Sequence, residues 1–199
     1  MNLATDNDAV NAIAARLHGV LSKADLQTLL AEGHPAAFTR RAKALIAHGT
    51  LRRFARGFYV TDPFDLPTLS QRLTPTSTVS FHTVLARHLV IGPRPERQLL
   101  AVKQGATRTY RALDHEIVHL SIAPHLDFGH TMQDGVRYAD AEKAALDVLY
   151  FHLRGRRYSF DIHSDIDIAK LNPRRLRDYL DRYENPKFVA FVKRVLRLP

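Results

Sequence analysis

The sequence predicts an α/β (α+β) chain in two parts. The first, residues 1–62, is a small helical unit ending in a basic hairpin; the second, residues 63–199, is a mixed domain with an antiparallel sheet and helices. Three observations carry this. Apolar residues recur at helical spacing three times before residue 50. Short β-prone runs alternate with turn residues between 98 and 138. Asp62-Pro63 breaks the pattern between the two parts.

The composition agrees. Of 199 residues, 45% are hydrophobic and 25% charged, ordinary values for a folded chain that exclude wholesale disorder. There is no cysteine, which excludes disulfide scaffolds, thiolate zinc sites and cysteine nucleophiles. No apolar run reaches about 18 residues, so no membrane span is expected. The first residues lack the basic-then-apolar layout of a secretory signal, and a cytoplasmic location is the expectation.

In the first part, Val10, Ile13, Ala14 and Leu17 mark one face of a helix, with Asp6 or Asp8 as its cap and Gly19 as its stop. Ser22-Lys-Ala-Asp25 resembles a capping box, and Leu21 with Leu26 suits a hydrophobic staple. Leu26, Leu29 and Leu30 form the buried stripe of this second helix, closed by Gly33. Pro35 starts a third helix that runs to about His48, with Phe38, Ala42, Leu45 and Ile46 inward. Runs 51–54 and 58–60 flank Ala55-Arg56-Gly57, a hairpin signal.

The second part opens with a helical stretch at 66–73, a loop at 74–78 and a helix capped by Ser80. Strands are expected at 98–103, 107–112, 116–122, 128–130 and 136–138. Asp140, Asn172-Pro173 and Asn185-Pro186 each mark a helix start.

Helix, helix, helix and basic hairpin in this order make a winged helix-turn-helix. The net charge is +9 and the pI about 10.1. Residues 1–62 carry a net of +3, residues 63–169 none, and residues 170–199 a net of +6. Six Lys/Arg and no Asp/Glu lie between Pro35 and Val60. Thr39, Arg40, Arg41 and Lys43 on the third helix would meet a major groove, and Ala36 and Ala37 would let it approach closely. Arg52, Arg53 and Arg56 on the hairpin would grip the flank. The expected partner is double-stranded operator DNA, arranged as inverted repeats if two molecules bind. A protein-contact role for the same basic face is the plainer alternative.

Other constellations are weaker. His115 and His119 have ligand spacing, but on a strand they stand about 13 Å apart, too far for one metal. Asp161, His163, Asp165 and Asp167 share one face if extended, yet read better as a polar edge or loop that leads into a capped helix. Lys143 and Asp147 pair as i, i+4 neighbours in a helix. No phosphate-cradling loop or catalytic motif is present, so no catalytic residue, metal or cofactor is assigned. Arg174, Arg175, Arg177 and Arg182 are candidate partner-binding residues on a C-terminal helix, for an acidic protein, RNA or DNA. A solvated basic surface is the simplest reading of them.

Tyr138-Ala-Asp-Ala-Glu142-Lys143-Ala-Ala-Leu146-Asp147-Val-Leu149-Tyr150 resembles the Glu-Lys-Ala-Leu-Leu-Asp-Leu-Leu-Tyr signature of AbiEi-type antitoxins and transcriptional regulators. Val79-Ser-Phe-His-Thr-Val-Leu-Ala-Arg-His88 resembles a helix of that family, with Arg87-His88 where His-Gly is common. Gly49-Thr-Leu51 through Tyr59 resembles its wing. The resemblance implies a type IV toxin–antitoxin system of abortive infection. Its winged-helix domain represses its own operon, and its C-terminal domain counteracts a nucleotidyltransferase-like toxin. A stand-alone regulator, or a protein- or RNA-interaction module, is the alternative.

Overall fold

The computed structural model describes residues 3–93 and 95–198. Its helices and sheets make an α/β fold. The chain runs α1 (Leu3–Ala14), β1 (Val20–Ser22), α2 (Lys23–Leu29), α3 (Pro35–Ala47), β2 (Arg52–Ala55) and β3 (Phe58–Val60). It continues through α4 (Leu66–Leu73), β4 (Thr78–Val79), α5 (Phe81–Arg87), β5 (Gln98–Lys103), β6 (Arg108–Ala112) and β7 (His115–Ser121). Last come β8 (His130–Gln133), β9 (Val136–Ala139), α6 (Ala141–His152), α7 (Pro173–Leu180) and α8 (Pro186–Val195).

Local signals set most boundaries. The Ser22 hydroxyl accepts from the Asp25 N–H at 3.1 Å and the Asp25 carboxylate accepts from the Ser22 N–H at 2.6 Å, which completes the capping box. Leu21 and Leu26 are fully buried in one cluster, as a staple requires. Asp140, Asn172 and Asn185 cap their helices as expected. Gly57 turns the β2–β3 hairpin at φ 80°, a conformation that a Cβ would oppose.

Six expectations are corrected. Ile46, expected inward on α3, is 37% exposed. Ser80 stands at the N-cap position of α5, but its hydroxyl donates to Asp147 instead of capping the helix. Asp6 is not a cap: α1 begins at Leu3, and Asp6 lies inside it, 4% exposed. The second helix ends at Leu29, and Ala31, not Gly33, takes the left-handed turn at φ 46°. The strand expected at 128–130 is β8, three residues later at its far end. The large sheet is mixed rather than antiparallel. Its order is β6-β7-β5-β4-β9-β8, with β5–β7 and β4–β9 parallel. The cause is that β6 folds back on β7 as an edge hairpin, which leaves β7 beside β5 in the same direction.

Two elements have no counterpart in the sequence reading: β4, at the end of the expected loop 74–78, which pairs with β5 and β9, and β1. β1 pairs with β3, Val20 opposite Val60 and Leu21 opposite Tyr59, so the hairpin belongs to a three-stranded sheet. This sheet has two apolar faces. Leu21 joins a small core with Val10, Leu26, Phe38, Leu45 and Leu51. Val20, Phe54 and Val60 face the other way, into the large core that holds the six-stranded sheet and α6. The apolar core therefore crosses position 62. Arg72 of α4 strengthens the junction: it donates to the Val20 carbonyl at 2.6 Å and pairs with Asp25.

Candidate nucleic-acid interface

The six cations between Pro35 and Val60 divide into three groups. α3 buries Phe38, Ala42 and Leu45, and this orientation leaves Arg40 and Lys43 exposed on one outer stripe. Neither makes an ion pair among the described residues. Arg53 and Arg56 of the hairpin are also exposed and also lack a carboxylate partner there. These four form the open basic set.

Arg41 lies elsewhere. Its Nε and one terminal nitrogen donate to the two oxygens of Asp6 at 3.0 and 2.6 Å, and the other donates to the Leu30 carbonyl at 2.7 Å. Glu32 adds a carboxylate at 3.7 Å. The Arg41 hydrogen bond holds the Asp6 carboxyl below its usual range, against the opposing effect of burial. Arg41 thus ties α3 to α1 and to the end of α2.

Arg52 lies on the opposite sheet face from Arg53. It stands in the row of Val60 and Val20, and Arg53 stands in the row of Tyr59 and Leu21. The Arg52 side chain therefore points towards the larger body and pairs with Asp62 at 3.2 Å. The Thr39 hydroxyl donates to the Pro35 carbonyl at 2.8 Å, so its proton is used within α3.

Sequence reasoning missed Lys23. Its N–H donates to the Gly57 carbonyl at 2.7 Å, which sets the start of α2 against the hairpin tip. Its Nζ lies 5.7 Å from the centre of the Phe38 ring on α3. Lys23 therefore links the hairpin tip, where Arg56 sits, to the helix that carries Arg40 and Lys43. Only the unforeseen β1–β3 pairing could have shown this.

Comparison with known proteins finds no matching family model and no matching curated protein. Among solved structures, the chain is similar to the crystal structure of the RV2827C protein from Mycobacterium tuberculosis. The TM-score is 0.62 at 14% sequence identity, and the match covers 96% of this chain and 76% of that one. The likeness is one of fold.

The remaining candidates have structural explanations. Among the C-terminal arginines, Arg175 pairs with Glu142 at 3.2 Å, and Arg182 lies 4.6 Å above the Phe128 ring. Arg174 and Arg177 are exposed without an ion pair among the described residues. His115 rests on Phe64 and bonds the Leu113 carbonyl at 2.6 Å. His119 is fully buried between the Ser70 and Thr74 hydroxyls at 2.8 and 3.0 Å. Burial, with Lys103 and Arg108 nearby, lowers its pKa to about 4. Residues 161–167 form a turn: the Asp161 carboxylate accepts from the His163 and Ser164 N–H groups at 2.7 and 3.0 Å. Among the described residues, no group of three or more His, Asp or Glu could hold a metal ion.

The Glu142–Tyr150 stretch of α6 works as internal scaffolding. Glu142, Lys143 and Asp147 are at most 4% exposed. Lys143 pairs with Asp147, whose other oxygen accepts from the Ser80 hydroxyl at 2.7 Å. Burial pushes the Asp147 carboxyl up, against the pull of the Lys143 ammonium. Glu142 accepts from the Asn172 N–H at 2.8 Å, and Asp140 accepts from the Tyr179 hydroxyl at 2.5 Å. These bonds fasten α6 to α5 and α7. No helix among the described residues is long and apolar enough to cross a membrane.

Proposed function

We propose that this protein binds double-stranded DNA through a winged helix-turn-helix at residues 1–62 and represses transcription. The observation that carries the reading is the open basic set. Arg40, Lys43, Arg53 and Arg56 lie in a run without acids, are exposed, and have no carboxylate partner among the described residues. Charges left unpaired on a helix and an adjacent hairpin suit phosphates beside a groove. Arg41 and Arg52 take no part in DNA contact: Arg41 ties α3 to α1, and Arg52 is paired with Asp62 at the end of the unit.

The autoregulatory antitoxin role, with a nucleotidyltransferase-like toxin as the target, rests on the motif resemblance. Under it, α6 supplies the frame of the C-terminal domain and its open cations Arg174 and Arg177 are the candidates for partner contact. A gel shift with the DNA upstream of the gene tests the main reading. Retardation at low salt, weakened by R40A/K43A, is expected. No retardation at low salt would leave a protein- or RNA-interaction module as the better account.

A further inference from the structure

A cleft of about 730 Å³ opens between the C-terminal end of α6 and the length of α8. Its volume lies within the roughly 300–1,000 Å³ typical of small-molecule sites. Tyr150, Phe188 and Phe191 give it an aromatic wall, with Tyr183 beside them. Arg154, Lys187, Arg194 and His125 stand around it, against the single carboxylate of Glu184. None of the three permanent cations makes an ion pair among the described residues. No carboxylate partner neutralises this charge, in contrast to Arg175 and Arg41.

The placement of the cations is specific. The Arg154 guanidinium sits 3.5 Å from the centre of the Tyr150 ring, and it donates to the Tyr150 carbonyl at 3.2 Å. A guanidinium stacked on one face keeps its outer face free for a second planar group. Arg194 lies 5.8 Å from the Phe191 ring centre.

We propose that this cleft binds a nucleotide, with the base against the Arg154–Tyr150 stack and the phosphate among Arg154, Lys187 and Arg194. Aromatic surface beside unneutralised cations is the combination that recognises a base and its phosphate together. An acidic peptide would use the cations but not the stacked plane. The cleft is independent of duplex binding at the hairpin, which lies on other residues.

The test is calorimetric titration of the full chain with AMP and UMP, the matching nucleosides, inorganic phosphate and a short single-stranded RNA. One-to-one binding of a mononucleotide is expected, about ten-fold weaker in R154A and in R194A, and about ten-fold weaker for the nucleoside. Binding of the RNA strand alone, with the same losses, would also support the proposal and would make the ligand part of a chain. Duplex DNA affinity should stay unchanged in R154A, and nucleotide affinity unchanged in R53A/R56A. Three results overturn it: no binding of any nucleotide probe, binding undiminished in both arginine variants, or inorganic phosphate competing as well as the nucleotide.

Discussion

Replacing Arg41 by alanine separates its structural work from DNA contact. The change removes two charge-assisted bonds to Asp6, at 3.0 and 2.6 Å, and a third to the Leu30 carbonyl. It leaves a carboxylate 5% exposed without its cation. Removing one partner of a well-buried pair costs about 3–5 kcal/mol, and a single bond to a charged group is worth about 1.5–3 kcal/mol. Arg41 keeps 19% of its side chain exposed, so solvent relieves part of the penalty and about 2–3 kcal/mol is expected. For a chain of this length that lowers Tm by roughly 4–12 °C. D6A/R41A should recover part of the loss, because no charge is then stranded. The pH dependence has a definite sign. The folded-state pKa of Asp6 is lowered, so its contribution is present above the unfolded value near 4 and is lost as pH falls through the folded value. Urea unfolding of the wild type and D6N should therefore differ at pH 7 and begin to converge only as pH falls below about 4. A loss under about 0.5 kcal/mol in R41A, together with a fall in DNA affinity as large as in R53A, would refute the reasoning.

Other expectations rest on neighbouring parts of the fold. K143M strands the Asp147 carboxylate in the core and should cost about 3–5 kcal/mol in denaturant unfolding, with part recovered in K143M/D147L. His119, with a pKa of about 4, resists protonation while folded, so the unfolded chain binds more protons between pH 6.5 and 4. Stability should fall as pH drops through that window, by up to about 3 kcal/mol, and the fall should flatten in H119Q. R72A removes the bond to the Val20 carbonyl and the partner of Asp25. Hydrogen exchange at residues 20–25 should quicken by about ten-fold without loss of the fold.

Much of the fold was legible because its signals are local. Capping side chains at Ser22, Asp140, Asn172 and Asn185 act within three residues, and the sequence states them directly. What was hidden depends on long-range pairing. β1 is three residues long and finds its partner forty residues on, at Val60. Without β1, the sequence offered no reason to place Lys23 beside the hairpin tip. The site was half legible for the same reason. Helical spacing put Arg41 on an outer stripe of α3, but α1 lies over that stripe and brings Asp6 to it across 35 positions. Period-two alternation does separate Arg52 from Arg53, yet the sequence could not say which face of the hairpin another layer would cover. β8 was displaced because Phe128 looked strand-like, whereas the ring packs against Tyr179 and the strand itself is the polar His-Thr-Met-Gln.

The most direct test of DNA binding is the salt dependence of affinity for duplex DNA from upstream of the gene, read by fluorescence anisotropy. The account predicts a steep negative slope of log affinity against log salt. The slope should shrink by about 0.9 for each phosphate left unneutralised in R40A, K43A, R53A or R56A, and should be unaltered in R52A. A slope that none of the four substitutions changes, or one that R52A alone changes, would contradict it.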